Sequence, residues 1–496
     1  MVLTPFLDHV LGAGVRRSLW VIQSASLLFL AIGSINVSAL LLARSLAGDS
    51  RTALQVALGA SRKRLAGRAL LESCFLYSLA LVAGASIFWL LLEGLKLVAA
   101  DTPRIDEIAM RPSVLWFSAA IASIGALAVA LPGAAHAMKL STAAGLRLSK
   151  SGGSRRTTLE NALIVTQIGM ASLLLIVAFL VTKGYRTLTA LDLGYTPEES
   201  FTFKVTLFDS KFPTLESKRA FIRELIRRLE ELPDVEAAGA IHNRPLEFGP
   251  VGMDAGFWVE GQTAEESRRN PAFNWQSATP GFLRAAGIDL IEGRSFSWLD
   301  DERAPLVVIV SEGMARRYWP GESAIGKRLV TLGARLDNSG QYVRQTVVGV
   351  VEDARYRELE TPRLDVYVPM LQAPHEASNV FIRSEASAEA ILNAARAEAQ
   401  AIDEDVPVSD MAVMSQVVEG AFRERRLTAM LVGVFGAVGV LLATLGVFGT
   451  VGYLVVRRAR EIGLRFAVGA EARNIVVWVL ARGLTPAFAG LGLGVG

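Results

Sequence analysis

Five long apolar runs interrupt an otherwise mixed pattern of polar and apolar positions, at residues 19–43, 71–92, 114–135, 163–181 and 427–456. A helix needs about 20 apolar residues to cross the hydrocarbon core of a bilayer, and each run supplies them. Their few polar members include Gln23 and Asn36 in the first run and Gln167 in the fourth. Pro132 predicts a kink near the end of the third. The fifth carries glycines at 433, 436, 439, 446, 449 and 452, a spacing that predicts a face for close helix packing. A sixth run begins near Gly483, and its fourteen residues span only about 21 Å against about 30 Å of hydrocarbon.

Residues 184–426 follow other rules. Residues 200–207 read as a strand. Phe221, Leu225 and Leu229 recur at i, i+4 and i+8, which predicts a helix over 216–231. Residues 235–241 read as a strand again. The end of the segment repeats this order, with a strand at 379–383, an alanine-rich helix at 388–402 and a strand at 406–411. Two β-α-β units around an insert predict one α+β subdomain made from both ends of the segment. The insert, about 245–372, holds short apolar runs such as 306–310 and 346–351 and reads as mainly β. The expected fold is an α-helical membrane protein with five full transmembrane helices, a partial sixth and an α+β extracytoplasmic domain.

One short stretch occurs twice. The first copy is Leu54-Gln55-Val56-Ala57-Leu58-Gly59-Ala60-Ser61-Arg62, and the second is Leu464-Arg465-Phe466-Ala467-Val468-Gly469-Ala470-Glu471-Ala472. Each follows an apolar run and a set of arginines: Arg44 and Arg51, then Arg457, Arg458 and Arg460. A period this long marks two halves of one architecture. The Ala-x-Gly-Ala core lets another backbone approach closely, because glycine has no side chain to hold it off. An amphipathic loop helix on the lipid surface accounts for one copy as well, but two copies in matching contexts favour docking.

Charge orients the chain. Loops 44–70, 136–160 and 457–482 hold six, five and six Lys/Arg residues, against three in loop 93–113. The positive-inside rule puts the first three in the cytoplasm and residues 184–426 outside. Residues 136–160 are basic and Ser/Gly-rich, which predicts a flexible linker. Residues 161–456 carry 38 acidic and 29 basic residues, so the overall +3 reflects membrane-flanking arginines and not a nucleic-acid surface. The single cysteine, Cys74, rules out an intrachain disulfide, and the four histidines (His9, His136, His242, His375) lack metal-ligand spacing. The expectation is therefore no metal and no cofactor.

Candidate chemistry is sparse. Residues 321–328 match G-x-x-x-x-G-K, but Arg328 stands where a P-loop needs Ser or Thr. A glycine turn is the better reading. Asp300-Asp301-Glu302 and Asp403-Glu404-Asp405 read as solvated turns. No Ser/His/Asp order and no Gly-x-Ser-x-Gly elbow occurs, so no catalytic residue is assigned and an enzyme is not expected. Asn36 and Gln167 are costly inside a span. They bind across helices as structural glue or serve transport directly.

Several segments together resemble the MacB/FtsX-like ABC permease superfamily, in particular its duplicated orphan (ADOP-like) permeases. Residues 461–470, Glu461-Ile462-Gly463-Leu464-Arg465-Phe466-Ala467-Val468-Gly469-Ala470, look like its cytoplasmic coupling segment, and residues 36–44 like the span before the first copy. Ala278-Thr279-Pro280-Gly281-Phe282, Gly293-Arg294, residues 315–321 and residues 347–351 resemble its extracytoplasmic core domain. The resemblance implies a multi-pass subunit in a bacterial inner membrane. Residues 1–17 would end a first-half outer domain, and 18–136 would form a three-helix FtsX-like unit. Residues 137–160 would be a cytoplasmic linker and 161–183 the fourth helix. Residues 184–426 would be a MacB-like periplasmic core domain, and 427–496 a second, truncated unit. Missing parts at both halves imply a fragment of a longer permease. The implied partners are the lipid bilayer, a cytoplasmic ABC ATPase and a dimer mate or second permease chain. The implied ATPase-coupling residues are Ala57, Gly59, Ala60, Arg62, Glu461, Arg465, Ala467, Gly469 and Ala470. The family expects Glu and Arg around the first copy, where Arg51 and Gln55 stand, so that site is expected to be degenerate. The rival is a membrane-anchored extracytoplasmic binding or sensing protein without an ATPase.

Overall fold

The structure is a computed structural model that describes residues 6–47, 62–98, 109, 111–139, 153–246, 254–331, 342–356, 363–457 and 459–495. The chain divides into two compact units, residues 184–427 with 1–12, and residues 13–183 with 428–496.

Four long helices open the chain: α1 (Phe6–Ala47), α2 (Arg62–Val98), α3 (Pro112–Lys139) and α4 (Gly153–Thr189). Each outruns its apolar stretch. α4 starts inside the segment expected to be a flexible linker, and α3 continues past Pro132. Among the described residues, four helical segments are long and apolar enough to cross a membrane, at Arg16–Val37, Leu70–Gly94, Asn161–Thr189 and Met414–Gly449. The third expected run appears as the shorter apolar segment Pro112–Ile124 among the described residues. Leu71, Phe75, Trp116 and Phe117 are exposed. Outward apolar faces are what a hydrocarbon solvent selects, because it rewards no polar surface.

The unit of residues 184–427 is built on one mixed sheet. Its elements in chain order are β1 (Ser200–Val205), α5 (Leu215–Glu230), β2 (Val235–Ile241), β3 (Asp254–Ala255), β4 (Phe257–Val259), α6 (Ala264–Ser267), β5 (Phe273–Ala278), α7 (Phe282–Ala286), β6 (Leu290–Gly293), β7 (Val307–Ser311), α8 (Glu312–Tyr318), β8 (Arg328–Thr331), β9 (Gln345–Val351), β10 (Asp365–Pro369), β11 (Asn379–Ser384), α9 (Ala388–Ile402) and β12 (Val408–Val413). The strand order is β12-β1-β11-β2-β5-β10-β7-β9-β8-β4, with β3 on β5 and β6 on β9.

The first four strands form the subdomain expected from both ends of the segment. β1 lies between β11 and β12, and β11 between β1 and β2, all antiparallel. Phe201, Phe203 and Val205 alternate inward on β1, where they meet Phe221, Ile222, Leu225 and Leu229 of α5 and Ile391, Ala395 and Ala399 of α9. α5 starts where it does because Thr214 and Ser217 form a capping box. Pro233 then prevents the helix from continuing. The insert supplies the remaining strands, mainly β as expected, with short helices between them. A second cluster packs Phe273, Trp275, Val308, Val310 and Trp319. A third includes Phe282, Tyr367, Phe381 and Ile309. Phe282 comes very close to β2: a Cβ on Gly239 would lie 2.2 Å from the Phe282 nitrogen, so only glycine fits there.

Three helices close the chain, α10 (Met414–Arg457), α11 (Ala459–Ala467) and α12 (Ala472–Val495). The last begins well before the sixth run read from hydropathy. In the helical unit Ile32, Leu174, Ala178 and Val432 form a buried core. The glycine face expected on α10 is real only in part. A Cβ at Gly436 would sit 3.2 Å from Ala178, and one at Gly439 would sit 3.0 Å from Leu174, whereas Gly433 and Gly452 face open space. A closer glycine contact joins α12 to α4: a Cβ at Gly490 would lie 2.7 Å from the Val165 carbonyl, and one at Gly494 would lie 2.7 Å from that of Gly169. Small residues let these backbones touch.

Candidate functional site

The helical unit brings two of the expected site residues to one point. Asn36 Nδ2 of α1 donates to the Leu442 carbonyl of α10 at 2.7 Å. Gln167 Nε2 of α4 lies 3.2 Å from both the Leu442 and the Ala443 carbonyls. Both side chains are buried. A Cβ at Gly446 would stand 2.1 Å from Asn36 Oδ1 and 2.3 Å from Gln167 Nε2, so the joint needs a glycine one turn further along α10. The amide donors are spent on backbone carbonyls. This arrangement fastens three helices.

The second repeat copy forms α11 and the turn after it. Arg465 donates to Glu461 one turn back at 2.8 Å. Its guanidinium carbon also lies 4.3 Å from the centre of the Trp478 ring on α12, so Arg465 ties the two helices by a cation–π contact. Trp478 was not read from the sequence, because nothing local pairs it with Arg465. α11 ends at Ala467. The Ala470 amide then bonds the Arg465 carbonyl at 2.9 Å, and the Gly469 amide bonds that of Phe466 at 3.0 Å. These two bonds are a Schellman closure. They put Gly469 at φ +94°, where a side chain is strained. A Cβ there would meet nothing within 4 Å among the described residues. The glycine therefore answers first to the sign of φ, and the space beside it is open. Leu464, Phe466 and Val468 are exposed around it.

Ala57, Gly59 and Ala60 of the first copy lie outside the described residues. Arg62 is the first residue of α2.

The glycine-turn reading of residues 321–328 holds. Gly321 and Gly326 have φ of +76° and +80°, Lys327 pairs with Glu322, and strand β8 follows where a P-loop requires a helix. Asp300, read as solvated, is buried instead. It takes both Arg294 nitrogens at 2.8 Å and the Ser297 amide, and its carboxyl lies below the usual range because these bonds outweigh its burial. Asp403 and Asp405 clamp Lys211 beside β1.

The extracytoplasmic domain also has a cavity of about 570 Å³. The carboxylates of Asp192, Glu236, Asp289 and Glu352 line it, with Arg284 and Arg383. Glu352 titrates above the usual range, through burial first and then the charges of Asp289, Asp192, Glu312 and Asp353. Two histidines that are distant in sequence meet in this domain: the His242 and His375 rings stack 5.3 Å apart. Among the described residues no group of three or more His, Cys, Asp and Glu is placed to hold a metal.

Residues 162–402 match the family model of the MacB-like periplasmic core domain. The matched stretch is thus similar to a MacB-like periplasmic core domain. The match and the motifs support the MacB/FtsX-like ABC permease family. Two solved structures are similar. The periplasmic region of MacB from Actinobacillus actinomycetemcomitans is 10% identical, with 47% of this chain and 97% of that chain covered at a TM-score of 0.30. The extracellular domain of the noncanonic ABC-type transporter YknZ from Gram-positive bacteria is 16% identical, with 42% and 100% covered at 0.27. No curated protein matches the chain. The MacB-like domain and the four apolar helices fit an inner-membrane protein with a periplasmic domain.

Proposed function

We propose that the chain is a non-catalytic permease subunit of an ATP-driven, ABC-type export or mechanotransmission system. The observation that carries this reading is the form of the second repeat copy. α11 is a short amphipathic helix that follows a membrane-length helix, closed by a glycine turn with open space beside it. Exposed apolar residues and the Glu461–Arg465 pair give a cytoplasmic ATPase both surface and charge to grip. The Schellman turn and the Arg465–Trp478 contact make α11 and α12 move together. α12 packs on α4 through glycine contacts, and α4 leads into the periplasmic domain. A push on α11 thus reaches α4, whose chain continues into residues 184–427, and no step of it asks the permease to perform chemistry.

The test is purification from native membranes in mild detergent, followed by ATP turnover of the co-purified ATPase in reconstituted membranes. Docking through α11 predicts that Arg465→Glu weakens association by setting a reversed charge in the contact. Gly469→Asn, which tolerates positive φ, keeps the turn but fills the open space, and should also lower turnover. No co-purifying ATPase, or association unchanged in both variants, favours the anchored binding protein without a motor.

A further inference from the structure

The sheet of the periplasmic domain is thin at one place. β2 and β5 share a single register pair, Ile241↔Ala278. Around it the His242 amide bonds the Ser277 carbonyl at 2.8 Å, and the Thr279 amide bonds the Ala240 carbonyl at 2.9 Å. The Ala240 amide donates to Thr279 Oγ1 at 2.7 Å. On one face a single apolar cluster crosses this seam. On the other face two clusters stop on either side of it. The loop from β10 to β11 bridges them there: Met370 and Ala377 belong to one cluster, Ala373 to the other.

His375 lies in that loop and His242 at the end of β2. Their rings stack at 5.3 Å with 30° between planes. Trp275 of β5 meets both edge-on, at 6.2 and 5.9 Å. His242 Nδ1 is 2.9 Å from the Glu376 carbonyl oxygen. A carbonyl only accepts, so Nδ1 carries the hydrogen, and the neutral ring keeps its lone pair on Nε2. The charged groups facing the pair are already paired. Lys218 of α5 holds the Glu376 carboxylate at 3.4 Å and Asp209 at 2.8 Å. Arg219 is bound to Glu302 and to the Ala373 carbonyl. Asn379 donates to the His242 carbonyl and Ser277 to that of His375.

We infer that the His242–His375 stack is a proton-sensitive clasp over the β2–β5 seam, closed while the rings are neutral and released when both are protonated. Two imidazolium rings at this separation repel each other, and the seam beneath resists with one register pair and the three hydrogen bonds around it. Burial, and then His242, already hold His375 toward its neutral form, against Glu376.

Hydrogen exchange of the full chain in lipid nanodiscs tests this, at pH 7.5, 6.5 and 5.5 and corrected for the intrinsic rate. Peptides covering 238–243 and 277–281 should open more at pH 5.5 than at 7.5. Peptides from α5 should not change. His375→Phe and His242→Phe keep a ring in the stack and remove the titration, so each should flatten the profile. If either fails to fold, His375→Gln supplies the same comparison. A flat wild-type profile, or a pH response retained in the folded variants, overturns the inference.

Discussion

The helical unit and the periplasmic domain each contain a joint where polar side chains fasten backbone from separate elements, and the two are built in opposite ways. At Gly446, neutral amides of Asn36 and Gln167 are buried and spent on carbonyls. At Ile241↔Ala278, half-buried imidazoles lie over one register pair. An amide has no second protonation state, so the first joint holds in one form. An imidazole does, so the second can respond. The difference lies in the ionisation chemistry of a few residues at each joint.

The largest effect expected from breaking this contrast is at Gly446. Gly446→Leu should cost about 3 kcal/mol of stability in detergent unfolding, because overpacking a filled site costs about 1–3 kcal/mol. Gly452→Leu, where a Cβ meets nothing within 4 Å, should be close to neutral. Similar losses at both would show that the amide joint is not special.

At the seam, Thr279→Val removes the oxygen that receives the Ala240 amide. A buried donor left without its acceptor costs about 1–3 kcal/mol, to be read by chemical denaturation of the full chain. Gln167→Leu should cost less, about 0.6 kcal/mol, as is usual for hydrogen bonds between membrane helices. If Gln167→Leu proved the costlier change, the fixed joint would matter more than the seam.

The pH response sharpens the contrast further. His375 favours its neutral form in the folded domain, so the unfolded chain binds that proton at higher pH. Stability is therefore full above the ordinary histidine value of about 6.5 and falls as pH drops through it. Denaturation at pH 7.5 and 5.5 should show a drop in wild type and a smaller one in His375→Phe. An equal drop in both would assign the effect to other groups. The change at the coupling helix is of a similar small size. Trp478→Leu should cost about 0.5–1 kcal/mol, the worth of an exposed cation–π pair, and leave Gly446 and the seam as they are.

Much of the domain was legible in the chain, because its elements are short and amphipathic. The strand-like run at residues 200–207 and the Phe221/Leu225/Leu229 spacing each mark one element, and β2 and α9 fall where the pattern puts them. Membrane helices were found, but their ends were not, since apolar runs mark the hydrocarbon and not the helix. α4 begins at Gly153 in a basic, Ser/Gly-rich segment that hydropathy reads as linker. The role of Gly469 was half legible. Its motif suggested close approach, whereas its φ comes from a turn that composition does not reveal. Long-range pairs such as Arg465–Trp478, Arg294–Asp300 with its burial, and His242–His375 had no local signal. They are set by which strands and helices become neighbours.

The account rests most heavily on α11 as the docking point for an ATPase. Val468 is 88% exposed beside the open side of Gly469, so a photo-crosslinking amino acid placed there samples whatever sits on the turn. Irradiation of native membranes followed by mass spectrometry of the adduct is the direct measurement. The account predicts a crosslink to the nucleotide-binding subunit of an ABC ATPase, lost when Arg465→Glu is added. Adducts only to lipid, or to a protein without an ATPase domain, would contradict it.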